Sequence, residues 1–415
     1  MKFWFGITLW KRILGMLVLG VVFGVLAGES ATSISWIGDM FIRLIRMIVV
    51  PLVFVTLVTG VIAMGDPKRL GSLGAKTLGL YMATTAVAIT IGLTMAAIIE
   101  PGVGVDLAGV VPNEEIGRSS STLEDRLLAI IPMNPIAALA NANMLAIIFF
   151  ALILGAGILL TGAKAKPLAG VFEAGSEVML KITHLVMEVA PFGVFSLISG
   201  VVGTGGIEQL FTVLPLAAAF LAACVLHVAI THGFIMKFVL RLPVLRFFQG
   251  IRGAQLVAFS TSTSSGTLPV TIAAAEDNLG VKTPVAASVL PLGSTINMDG
   301  SGIYVGILAV FSAQIFGISL GLTEYLLIAF AATLVSIGTA AVPSASLFLL
   351  AAVLGVLDID AAQTAIIVGF VFPFDRPLDM IRTVVNVTGD LSVATAVAKW
   401  EDEFDEEVFR APPME

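Results

Sequence analysis

Charge is what this 415-residue chain lacks most: Asp, Glu, Lys and Arg make up 12% of it, where soluble domains carry about 25%. With 58% of its residues hydrophobic, water cannot be the solvent for most of the surface, and an all-α polytopic membrane protein is expected. A single cysteine, Cys224, excludes an intrachain disulfide and any multi-cysteine metal site, and within its apolar stretch it reads as a small buried residue. Histidine is nearly as scarce. His184, His227 and His232 are scattered, none with a cysteine or histidine partner at ligand spacing, so no zinc or other transition-metal site is expected. His184, Lys181 and Glu188 share a helix face, as a structural network would. Nothing in the charge distribution suggests nucleic-acid binding.

What the chain has in abundance is apolar length. Stretches able to cross about 30 Å of hydrocarbon recur at 11–28, 44–65, 77–99, 143–161, 178–201, 209–239, 283–319 and 361–399. The first is followed by further spans, so it reads as a membrane helix rather than a cleaved leader. Lys11 and Arg12, then Lys68, Arg69 and Lys76, then Lys164 and Lys166, then Lys237, Arg241, Arg246 and Arg252 fall on one side if spans alternate. Glu29, Asp39, the acidic segment 100–126, Glu208, Glu324, Asp358 and Asp360 fall on the other. That asymmetry places both termini in the cytoplasm, and the short loops suggest a prokaryotic inner membrane.

Two segments, 250–281 and 322–358, fit the alternation only by returning to the side they came from. Each carries a midpoint rich in Ser, Gly and Pro, one at Ser260 to Pro269 and the other at Ser336 to Ser346. Irregular backbone is tolerated at membrane depth only where protein or water lines it, so two re-entrant helical hairpins are expected. Each precedes a helix expected to be interrupted by polar residues, at Thr295-Ile-Asn-Met-Asp-Gly300 and at Val385-Asn-Val-Thr-Gly-Asp390. Similar elements inserted from opposite faces indicate an inverted repeat, whose ligand sites lie near the midplane at broken helices.

The last apolar helix holds the main anomaly. At 100° per residue Asp379, Arg382, Thr383, Asn386 and Asp390 fall within roughly a 100° arc. An ionisable residue at the bilayer centre costs at least about 2.5–3.5 kcal/mol, which makes this face a functional site rather than a helix-packing ion pair. The forked guanidinium of Arg382 suits a solute carboxylate, and Asp379, one turn away, suits an ammonium group. Together they describe an amino acid with a second carboxylate, its α-carboxylate held by N–H groups at the hairpin tips. Asp299 and Asp390 sit among amide and backbone oxygens of the kind hard cations take.

These motifs resemble the glutamate/aspartate:sodium symporters, also called dicarboxylate/amino acid:cation symporters. The resemblance runs through nearly the whole chain, with Pro132-Met-Asn-Pro135, Ser264-Ser-Gly-Thr-Leu-Pro269, Asn297-Met-Asp-Gly300, Ser336-Ile-Gly-Thr339 and Asp379 to Asp390 as its most specific parts. It implies a homotrimer in the lipid bilayer, with eight spans, two hairpins and an elevator mechanism. A static scaffold would comprise 1–74 and 101–203, a mobile transport domain 75–100 and 204–400, and a cytoplasmic tail 401–415, with the second hairpin as extracellular gate. Sodium-coupled symport of aspartate or glutamate follows from the resemblance, with sodium as a transported ion.

Carried over, Arg382 reads the side-chain carboxylate and Asp379 the amino group, with further substrate contacts from Thr263, Ser264, Ser265, Ser301, Ala340, Val342, Pro343, Thr383 and Asn386. Asp390 with the Asn386 and Asn297 carbonyls resembles one sodium site. Asp299 with Asn297, Tyr81, Thr84 and Thr85 resembles a second. Met298 with Ser336, Ile337 and Thr339 resembles a third, and Thr295 joins the cation ligands. Many members place an arginine where this chain has Ser262 or Met380, and Arg376 lies near enough to substitute. Val305 replaces the glutamate tied to proton coupling in animal members, and Ser301 replaces a threonine. The second hairpin has Ala341, Ser344 and Ser346 where glycines or other small residues are common. Alternatives on the same fold are a proton-coupled C4-dicarboxylate carrier or a neutral amino-acid carrier, and beyond these an ion channel. A hydrolase is not expected, because Ser260 to Ser265 have no His or Lys near in sequence to serve as base.

Overall fold

Hydrocarbon offers the backbone no partner but itself, and this chain satisfies its peptide groups with helices. The computed structural model describes residues 7–63, 67–105, 107, 128, 130–337, 339 and 344–413. The described residues begin with α1 (Leu9–Ala27), a 3-10 helix at Gly28–Ile34, α2 (Ser35–Ala63) and α3 (Pro67–Ile99). A short helix at Pro135–Ala140 precedes α4 (Met144–Thr161), α5 (Lys166–Met187) and α6 (Ala190–Gly205). α7 starts as Leu214–Leu226 and continues through π-helical turns at His227–His232 and Ile235–Val239. Then come α8 (Val244–Thr261), α9 (Ser264–Ala273), α10 (Thr283–Ile296), α11 (Asp299–Ile315) and α12 (Leu322–Ile337). The short α13 (Ala345–Phe348) and α14 (Leu350–Leu354), the long α15 (Ala361–Trp400) and α16 (Glu406–Arg410) complete it.

Among the described residues, five stretches are apolar and long enough to cross a membrane: Lys11–Ile62, Leu73–Ile99, Met144–Met187, Leu210–Val239 and Thr283–Ile315. The first and third each contain two helices. α15 is long enough, at 40 residues or about 60 Å, but its charged face keeps it out of this strongly apolar set. The span expected at 178–201 is divided, α5 ending at Met187 and α6 starting at Ala190. Pro191, which lacks an N–H, fits the first turn of a new helix better than the interior of an old one. Glu188 at that break takes two prongs of the Arg12 guanidinium, at 2.6 and 3.1 Å, tying it to α1.

α1 lies along α6, and α2 packs on α4, α5 and α6. Gly20 and Gly24, four apart, permit the close α1–α6 approach: a Cβ on Gly24 would stand 2.8 Å from the Ser199 carbonyl oxygen. α3 packs on α7 and α11, and α15 packs on α8, α10 and α11, with sparser contact back to the first set. α11 is buried along nearly its whole length and forms the centre of this second group.

Where the first hairpin is expected, α8 and α9 pack on each other across a sharp turn. Ser262 turns left-handed (φ 54°), Thr263 is extended, and the Gly266 N–H donates to the Thr263 side chain at 3.2 Å, capping α9. In the second, α12 ends at Ile337, Ser344 is left-handed (φ 63°), and α14 packs back on α12. Ala340, Ala341, Val342 and Pro343 lie outside the described residues.

The interruption at Asn297 and Met298 is present, between α10 and α11, with both residues outside helical geometry. The second expected interruption, at Val385 to Asp390, is not: α15 is continuous there. That segment holds no proline, and one glycine does not stop a helix packed on three neighbours. The two prolines of α15, Pro373 and Pro377, come earlier and leave the carbonyls of Gly369 and Pro373 without intrahelical donors. Asp360 starts the helix with a capping box, accepting from Ala362 N and Gln363 N at 2.8 Å each.

Candidate functional site

α15 turns its charged face toward the first turn of α11, where the backbones nearly touch. A Cβ on Gly300 would collide with the Arg382 carbonyl oxygen, so the contact requires glycine. On this face Arg382 donates to Asp379 Oδ1 from both Nε, at 3.1 Å, and Nη2, and its Nη1 lies 3.5 Å from Asp375 Oδ1. Arg376 Nη1 donates to Asp379 Oδ2 at 3.1 Å, and the Ser344 N–H donates to the same oxygen, also at 3.1 Å. The Tyr304 ring stacks 4.4 Å from the Arg382 guanidinium carbon. All four charged residues are buried, two carboxylates against two guanidiniums, so the set is formally neutral.

Beside this set lies a cavity of about 20 Å³ lined by the Ser262–Ser264 turn, Met298, Ser301, Thr339, Ala345, Ser346, Asp379, Arg382, Thr383 and Asn386. It has room for a water-sized molecule, so an amino acid needs a hairpin to move. Of this lining, Ser262, Ser264 and Ser346 have buried Oγ atoms without a hydrogen bond, as has Arg382 at the Nη1 that lies beside Asp375. Unsatisfied polar atoms cost about 1–3 kcal/mol each, and their convergence is what a polar ligand would relieve. Of the expected substrate contacts, Thr263, Ser264, Ser301, Asp379, Arg382, Thr383 and Asn386 line this cavity; Ser265 is exposed and does not. Ala340, Val342 and Pro343 lie outside the described residues.

Asn386 joins the cavity to a second polar cluster. Its Oδ1 accepts the Gly300 N–H at 2.8 Å and its Nδ2 reaches Met298 Sδ at 3.2 Å. Behind it, Asn297 Nδ2 donates to Asp390 Oδ1 at 2.9 Å and to the Asn386 carbonyl at 3.4 Å, so the amide bridges two oxygens expected to share a cation. Thr85 Oγ1 donates to Asp299 Oδ1 at 2.6 Å, and Thr84 Oγ1 lies 3.5 Å from both that atom and Asn297 Oδ1. Tyr81 is buried beside them, its hydroxyl donating to the Val289 carbonyl at 3.0 Å. Tyr81, Thr84, Thr85, Asn297, Met298, Asp299, Asn386 and Asp390 are thus buried together, drawn from α3, the α10–α11 break and α15. Ser336 and Thr339 are buried at the end of α12, next to half-buried Ile337; Thr339 Oγ1 donates to the Val335 carbonyl and Ser336 Oγ is unpartnered. Thr295 is half-buried and donates to the Leu292 carbonyl.

Several residues here escaped the sequence reading. Asp375 lies within the same 100° arc as Asp379 and Asp390, and projecting the helix past Pro377 finds it. Tyr304 carried no signal, and Ser346 stood out only as a hairpin residue, not as a cavity-lining one. The expectation that the histidines stand scattered does not hold for His227 and His232, whose rings lie 4.9 Å apart, T-shaped, with His227 Nε2 3.2 Å from Asp299 Oδ2. Five residues apart, they diverge by about 140° on an α-helix, but the π-helical turn brings them to one side.

Comparison with known proteins gives this geometry a context. The chain is 36% identical over 400 residues to a proton/sodium-glutamate symport protein of Bacillus subtilis (strain 168), covering 94% of this chain and 92% of that one. It is 35% identical over 412 residues to a proton/glutamate-aspartate symporter of Escherichia coli (strain K12), covering 95% and 93%. It is also 30% identical over 411 residues to a C4-dicarboxylate transport protein of Laribacter hongkongensis (strain HLHK9), covering 97% and 92%. Family members are transporters rather than enzymes. With residues 9–400 matched to it, a length that takes in both polar clusters and every helix from α1 to α15, the chain belongs to the sodium:dicarboxylate symporter family.

Proposed function

We propose that this protein takes up an acidic amino acid, aspartate or glutamate, in symport with sodium. The observation that carries the reading is the junction at Asn386 between a buried guanidinium–carboxylate set and a buried oxygen cluster around Asp299 and Asp390. Arg382 takes the side-chain carboxylate, Asp379 the ammonium group, and the serines at the α8–α9 turn the α-carboxylate. Sodium ions sit among oxygens of Tyr81, Thr84, Thr85, Asn297, Asp299, Asn386 and Asp390 and around Met298 and Ser336 to Thr339. The Asn297 amide gives way when a cation arrives between Asp390 and the Asn386 carbonyl.

The same reading includes a homotrimer in a cell membrane with both termini cytoplasmic, eight spans and two re-entrant hairpins. The mutual packing of α1, α2, α4, α5 and α6, denser than their contacts with α10 and α12–α15, supports a scaffold at 1–74 and 101–203 and a mobile unit at 75–100 and 204–400. That unit slides across the bilayer with residues 322–358 as its outer gate. Radiolabelled L-aspartate uptake into proteoliposomes, with sodium, proton and potassium gradients imposed one at a time, tests the proposal. Uptake that follows a proton gradient and ignores sodium refutes the choice of coupling ion.

A C4-dicarboxylate carrier is the second reading, favoured by one contact: Arg376 already pairs with Asp379 at 3.1 Å, so a solute without an ammonium group would not strand that carboxylate. Succinate that competes with aspartate and is itself accumulated would select it.

A further inference from the structure

The transport reading uses one oxygen of Asp299 and leaves the other to a pair of histidines. Asp299 Oδ1 faces Thr85 and Thr84, while Oδ2 lies 3.2 Å from His227 Nε2. His232 is fully buried, and neither of its ring nitrogens has a hydrogen-bond partner. An imidazole left so costs about 1–3 kcal/mol, and native interiors seldom tolerate it without a ligand or water to take the bond. The π-helical turn His227–His232 aims it at the same point as His227, and such turns frequently mark functional sites. One ring nitrogen from each histidine and a carboxylate oxygen of Asp299 lie within 4.8 Å of one another.

We propose that His227, His232 and Asp299 form a binding site for a transition-metal dication of the zinc class, and that its occupancy arrests transport. Two imidazoles and one carboxylate suit a borderline-soft ion, whereas sodium prefers the oxygen set on the other side of Asp299. A tetrahedral zinc with ligands at about 2.0–2.2 Å holds its ligand atoms about 3.3 Å apart, close to the 3.2 Å already separating His227 from Asp299. His232 has only to rotate inward to complete three ligands, with the fourth position open to water or to Thr84 and Thr85. Thr231 Oγ1, 3.0 Å from His227 Nδ1, supplies the outer hydrogen bond that orients a ligating imidazole: it accepts from Nδ1–H once Nε2 binds metal. Because Asp299 is shared, the metal uses the route by which sodium reaches that carboxylate, and then pins α7 to α11. The arrest rests on the transport reading; the metal site does not.

The test uses the full chain purified in detergent, titrated with Co2+ as a spectroscopic probe and back-titrated with Zn2+. The expected result is one Co2+ per chain, a visible absorption band of tetrahedral form, and its displacement by Zn2+. His232→Phe, which keeps a ring in the core, should weaken Co2+ binding at least a hundredfold, and Thr231→Val about tenfold or more. No stoichiometric band, or equal binding in His232→Phe that unfolds at the wild-type temperature, overturns the site. Aspartate uptake in proteoliposomes with and without micromolar Zn2+ is compared within each variant: wild type should slow, and His232→Phe should not. Zinc that binds without slowing wild-type uptake overturns the arrest. A chain that transports nothing but still gives the cobalt band refutes the transport reading and leaves the metal site standing.

Discussion

Arg382→Ala is the most demanding perturbation, because the residue holds two jobs. It balances Asp375 and Asp379, and its side chain lines the cavity. A charge-assisted hydrogen bond contributes about 1.5–3 kcal/mol, so a two-pronged grip on a solute carboxylate is about 3–6 kcal/mol, or two to four decades of affinity. Removing the guanidinium also leaves two buried carboxylates with Arg376 alone, and breaking a buried pair costs the fold about 3–5 kcal/mol. A single variant confounds the two effects. Adding Asp375→Asn restores formal neutrality while the Arg376–Asp379 contact remains, so the double variant isolates recognition. The assay pairs thermal unfolding of purified protein with the concentration dependence of L-aspartate and L-serine uptake. The double variant should unfold near the wild-type temperature, with KM for aspartate raised at least about a hundredfold and serine no worse than in wild type. Wild-type KM for aspartate in a stably folded double variant would refute Arg382 as the carboxylate reader.

Gly300→Ala drives a methyl into the Arg382 carbonyl and should destabilise by about 1–3 kcal/mol, read by thermal unfolding; an unchanged midpoint would mean that α11 and α15 separate freely. Asp390→Asn keeps an oxygen to accept from Asn297 but loses the charge, so half-maximal sodium for uptake should rise about tenfold or more at unchanged stability. An unaltered sodium dependence would remove Asp390 from the cation site. Thr263→Ala deletes the cap of α9 and should cost about 0.5–2 kcal/mol in the same unfolding assay. The Glu406 carboxyl lies below its usual range because Arg410 donates to it, so this pairing holds above the ordinary glutamate range and fades as pH falls through the lowered value. Both groups are exposed, and Glu406→Gln should leave the unfolding temperature and uptake at neutral pH unchanged.

The stripe on α15 was legible because charge in an apolar helix is conspicuous and helical projection is simple arithmetic. The break at Asn297 was legible for a related reason, since polar residues that cannot face lipid gather where the backbone is open. The same logic misled at Val385 to Asp390, where similar residues sit on an uninterrupted helix and the neighbours absorb the polarity. His227 and His232 were hidden because the relevant period was not 3.6 residues, and nothing in the letters of α7 announces a widened turn. Asp375 was hidden by a proline that does not end its helix. Tyr304 was hidden because an aromatic among apolar residues has no polar signature until its guanidinium neighbour is placed.

The Ser344 N–H on Asp379 Oδ2 carries a consequence for release. On the proposed reading a solute ammonium group and the Ser344 N–H draw on the same acceptor, so each lowers the other's hold by the same factor. Such a solute would meet a displacer built into the chain. Cargo leaving the carboxylate would be replaced by a donor already tethered at high local concentration, which would speed departure and spare the site a bare anion that stray cations would neutralise.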